Sequence, residues 1–182
     1  MSRKLIWIAL FSLVAIVTAA PRGEAASAPE IDAGVSETLD RFFYKIGGAR
    51  ELAHNAVGIL VFPSVVKAGF GVGGEYGEGA LRIRGRTAGY YNTMSASFGF
   101  QLGVQARSVV IMFMTEQALN QFRRTAGWKV GVDGSIAIIT VGIGGSIDTN
   151  KITSPVVGFI LDPKGLMYNL TLEGSKITRI SR

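Results

Sequence analysis

The sequence predicts an α+β fold that is mostly antiparallel β, with about eight glycine-rich strands in a barrel or coiled sandwich and helices at its flanks. Three observations carry this expectation. There are 24 glycines in 182 residues, many inside alternating apolar stretches such as residues 56–79, where glycine serves bends, bulges or close backbone approach. The hydrophobic period is helical up to residue 56 and becomes two from Gly58 onward. Turn chemistry, most plainly Asp162-Pro163-Lys164-Gly165, separates the alternating runs.

The elements follow in chain order. Arg3 and Lys4 precede an apolar run from Leu5 to Ala20, short of the roughly 20 residues a membrane-spanning helix needs. Residues 1–25 therefore read as a secretory signal, with Gly23 and Ala25 suited to a cleavage site before Ala26; retention as an N-terminal anchor is the alternative. Residues 26–37 are a linker and the start of a helix, and 38–182 form one domain. Val35, Leu39, Phe42 and Phe43 make an apolar stripe on the helix of residues 33–46, which either packs on the sheet or contacts a membrane. A second helical segment covers 49–56. VGILVF (57–62) is a strand broken at Pro63, and residues 69–81 continue the alternation. Residues 89–103 and 107–114 read as a long strand and its partner, and Thr115 caps a helix over 116–124. GSIAIITVGIGGSI (134–147) and VVGFIL (156–161) read as buried strands. The Asp162–Gly165 turn opens a hairpin whose second arm places Leu166, Tyr168, Leu170 and Leu172 on one side, and 176–180 is a last short strand. A membrane-spanning barrel is disfavoured, because residues 136–141 are apolar on both faces and 9% of the chain is aromatic.

The chemistry is sparse. The formal charge is +6, and after removal of the basic leader the remainder keeps a modest positive field that favours anionic surfaces. Export makes nucleic acid the poorer partner. With no cysteine there is no disulfide, no cysteine-linked lipid and no thiolate metal site. His54, the single histidine, has no nucleophile close in sequence, and no serine stands in a G-x-S-x-G elbow. Gly69, Gly71 and Gly74 match G-x-G-x-x-G, but strand alternation follows where a dinucleotide site needs a helix. Glu75 and Glu78 point to opposite strand faces, poor geometry for an acid–base pair. No catalytic residue, cofactor or metal site is assigned. Leu81 and Ile83 face one way and Arg82, Arg84 and Arg86 the other, a row spaced about 7 Å apart that either suits lipid phosphates or merely solvates an outer face. Lys67 and Lys164 are candidates to extend that patch.

The blocks AVGILVFPSVVKAGFGVGGEYGEG, FGFQLGVQ, TEQALNQF, GWKVGVDGSIAI and DPKGLMYNLTLEG resemble the SYLF domain over about residues 38–180. The resemblance implies phosphoinositide and anionic-lipid binding, actin binding in fungal members, and exported or envelope proteins among bacterial ones. Residues 90–95, YYNTMS, depart from the family's tryptophan-containing segment, so no lipid-binding residue is carried over. The leader fits the bacterial group and makes actin an improbable partner. The expected function is a non-enzymatic domain, exported to the periplasm or cell envelope, that binds anionic headgroups. The alternative is an envelope protein that self-associates or binds a protein partner.

Overall fold

The computed structural model describes residues 25–70, 72–98, 103–139, 146–149, 152–164 and 172–182. The leader, residues 1–24, and most of the arm containing Leu166, Tyr168 and Leu170 lie outside the described residues. Among the described residues, three helices, α1 (Ala28–Lys45), α2 (Ala49–Asn55) and α3 (Glu116–Arg124), accompany eight strands. The strands are β1 (Gly58–Phe70), β2 (Val72–Ile83), β3 (Arg86–Phe98), β4 (Gly103–Phe113), β5 (Trp128–Lys129), β6 (Ala137–Ile139), β7 (Val156–Lys164) and β8 (Lys176–Ile180). They form one sheet in the order β5-β8-β3-β2-β1-β4-β7-β6, curled into a half-barrel. Every pairing is antiparallel except β6 with β7. This is the expected α+β class, realised as one open, coiled sheet.

Helix α1 begins earlier than its apolar stripe suggests. Ser27 and Glu30 cap it, the Glu30 carboxylate accepting from both the Ser27 N–H and hydroxyl at 2.7 Å. Those bonds, the hydroxyl's first, hold the Glu30 carboxyl below its usual range. The stripe packs on the sheet: Val35 and Phe42 are fully buried, and Leu39 and Phe43 pack against the same cluster. The Phe42 ring lies 4.9 Å from that of Phe159 on β7. The four residues singled out for membrane contact thus cover Val61, Ala80, Val110 and Met112 instead. On the opposite face, Phe122 of α3 meets Tyr91, Phe113 and Trp128 over Leu60, Phe62 and Ile111.

Four other expectations are corrected. Pro63 does not end β1, because the ladders to β2 and β4 both slip between Val61 and Val65; a bulge accommodates a residue with no N–H to donate. Asp162 and Pro163 remain in β7 for the same reason, at the irregularity where Leu161 pairs with Ser108 and Lys164 with Ala106. The strands around 89–98 and 103–113 are not partners, since β2 and β1 lie between them. Ala137–Ile139 is a short edge strand with Ala137 exposed, not a buried one; residues 140–145 are outside the described set.

Candidate functional site

The arginine row does not exist as a row. Positive φ at Arg84 (51°) and Gly85 (76°) closes a two-residue hairpin in which Ile83 pairs with Arg86. Arg84 therefore sits in the turn and Arg86 on the next strand, both exposed. Arg82 is committed to α1: its guanidinium meets the Asp32 carboxylate at 3.4 Å and the Asp32 carbonyl at 3.2 Å. Asp32 also accepts from the Thr87 hydroxyl at 2.6 Å and the Tyr90 hydroxyl at 2.9 Å. The Asp32 hydrogen bond is the main reason the Tyr90 phenol is pushed above its usual range. This cluster docks the helix onto the β2–β3 hairpin.

Lys67 is also unavailable to a headgroup. It is buried on the face opposite α1, 3.5 Å from Glu75, which accepts from Arg107 at 2.7 Å. Lys164 ends β7. Glu75 and Glu78 do occupy opposite faces of β2, but both are ion-paired rather than solvating a loop: Glu78 binds the Arg182 guanidinium and accepts from the Tyr76 hydroxyl at 2.5 Å. His54 is exposed at the end of α2. Among the described residues no group of His, Cys, Asp or Glu could hold a metal, and no helix is long and apolar enough to cross a membrane.

What the sheet does assemble is a different row. On the face that carries α1, beyond the reach of that helix, Val66 pairs with Tyr76, Tyr76 with Met94, Met94 with Lys176 and Lys176 with Lys129. Five strands contribute one residue each, and all five residues are exposed. Val66, Tyr76 and Met94 are 41%, 46% and 53% exposed, too much for core residues of this size. The next row on the same face, Val104, Ala68, Gly74 and Ala96, is also exposed and carries no charge. The sheet end therefore presents an apolar strip with two lysines at one edge. An exposed apolar patch of this kind marks an interaction surface.

The lysine edge continues into a cleft of about 390 Å³ lined by Arg123, Arg124, Lys176, Arg179, Tyr91 and Gly127. Among the described residues, none of Arg123, Arg124, Lys129, Lys176 and Arg179 is in an ion pair. Arg123 and Arg124 also lie in the last turn of α3, where cations complement the helix dipole. Tyr91 is raised above its usual range by burial, with Arg179 and Arg123 opposing. Nothing in the one-dimensional pattern marks these groups as a set, since Lys129 and Lys176 become neighbours only through the β5–β8 pairing.

Residues 94–181 match the model of the Ysc84 family, described as Las17-binding protein actin regulator. No curated protein matches the chain.

Proposed function

From the premise that residues 94–181 belong to the Ysc84 (SYLF) family, associated with lipid binding and actin-regulator roles, we propose that this chain is an exported, non-enzymatic domain that binds the surface of anionic membranes. The observation that carries the reading is the five-strand row. Val66, Tyr76 and Met94 suit the headgroup–acyl boundary, where amphipathic aromatics settle. Lys129 and Lys176, with Arg123, Arg124 and Arg179 behind them, suit the phosphate layer, each nearby cation adding about 1 kcal/mol to adsorption. On the export reading the actin role in the family's name is not carried over.

Vesicle co-sedimentation tests this. Wild-type protein binds vesicles of anionic phospholipid, binds neutral ones weakly, and loses affinity between low and physiological salt. The pair Tyr76→Ser and Met94→Ser weakens binding about 10- to 30-fold, from burial worth roughly 1 kcal/mol for each half-exposed side chain. Arg84→Ser with Arg86→Ser changes it little. Unchanged binding in the row variant overturns the assignment. A concentration-dependent dimer with no vesicle binding transfers the row to an interface between copies.

A further inference from the structure

Val66 and Tyr76 of the row also line a groove that Ala25, Ala26, Gly77 and Glu78 share. Ala25 is exposed and lies outside any helix or strand, Ala26 is half-buried, and α1 starts two residues later behind its Ser27 cap. The Ala26 backbone nitrogen donates to Glu78 Oε2 at 3.2 Å. The Glu78 side chain is 8% exposed and is fixed by Tyr76 and Arg182.

We propose that Glu78 is a receptor for a processed N-terminus: hydrolysis of the Ala25–Ala26 bond places the new α-ammonium of Ala26 against this carboxylate. In the step, an export peptidase adds water across the bond, leaving a carboxylate on Ala25 and an ammonium on Ala26. The geometry fits on three counts. The bond to be cut is next to an exposed residue without regular structure, so an enzyme can reach it. The atom that becomes charged is already within hydrogen-bond distance of a fixed carboxylate, so no rearrangement is needed. A bare cation just ahead of α1 would oppose the positive end of the helix dipole, and Glu78, together with Glu30 at the helix start, reverses that sign. Arg182 then shares Glu78 with residue 26. The inference rests on the export part of the proposed function and not on lipid binding.

The test uses the full chain expressed in an exporting bacterial host. Intact mass and N-terminal sequencing are expected to give a product that begins at Ala26. Its α-amine, labelled by ¹³C reductive methylation and titrated by NMR, is expected to show a midpoint about 0.5 to 1 unit higher in wild type than in Glu78→Gln, because a fixed carboxylate favours the ammonium. A product that starts elsewhere or keeps residues 1–24 overturns the inference while leaving export standing, and recovery of the unprocessed chain from the cytoplasm overturns both. Equal midpoints overturn the ammonium–carboxylate pair. If Glu78→Gln does not fold, the wild-type midpoint decides, a value at or below the ordinary α-amine range of about 7.7–8.0 counting against it.

Discussion

Lys129→Gln is expected to strengthen the fold and weaken membrane binding at the same time. Lys129 and Lys176 are direct cross-strand partners on the exposed face, and like charges directly opposite on a sheet repel. For two ammonium groups held about 6 Å apart in a water-like dielectric, the repulsion would be about 0.7 kcal/mol. Removing one charge is therefore expected to stabilise the protein by a few tenths to about 0.7 kcal/mol at low salt, and by close to nothing at 1 M salt, where the screening length is about 3 Å. The same substitution removes one cation from the membrane-facing edge, worth about 1 kcal/mol, or roughly a 5-fold loss of vesicle affinity. Position 129 is the better probe, because the Lys176 stem lies across the backbone at Gly127, where even a Cβ would collide with it. Urea denaturation at two salt concentrations reads the first effect and vesicle co-flotation the second. A Lys129→Gln protein that is less stable at low salt, or that binds vesicles as tightly as wild type, refutes the idea that this edge retains a repulsive pair for use at a membrane.

Two further outcomes follow from local geometry. Gly79→Ala is expected to cost about 1–3 kcal/mol in chemical denaturation, because an added Cβ falls onto the Val61 carbonyl oxygen and lies 2.8 Å from Phe62 Cδ1; a neutral result would mean that β1 and β2 separate easily there. Tyr76, Tyr90 and Tyr91 are all raised above 10, Tyr76 and Tyr91 mainly by burial and Tyr90 by its bond to Asp32. Their contribution to stability is fully present below pH 10 and is lost as pH rises through the higher folded values. Tyrosinate absorbance in the folded protein is thus expected to rise later than in urea, with melting temperature falling over the same interval, and coincident titrations would contradict it.

The fold class was legible because glycine, turn residues and a period of two all agree from Gly58 onward. Proline is a poor guide to strand ends in this chain, since Pro63 and Pro163 sit at bulges that only the neighbouring strands reveal. The hairpin at Arg84-Gly85 shows the same limit: arginine with positive φ is uncommon, so alternation through Arg82, Arg84 and Arg86 looked unbroken. The candidate surface was the least legible part. Val66, Tyr76 and Met94 each occupy an ordinary alternating position in their own strand, and only the register across β1, β2 and β3, with their exposure, shows that none of the described helices covers them. The amphipathic helix misled in the opposite sense, because the stripe containing Val35 and Phe42 looks alike whether it covers a sheet or a bilayer.

The order of the strands also bears on how the chain can be dissected. The family-model match starts at residue 94, inside β3, yet β1 and β2 stand at the centre of the sheet, between β3 and β4. A fragment trimmed to residues 94–181 would lose β1, β2 and all but the end of β3, leaving of the β3–β8 ladder only the Met94–Lys176 pair and separating it from the β4-β7-β6 flank with bare edges. The shortest self-supporting piece must reach back through β1, although the match to the family model begins only at residue 94.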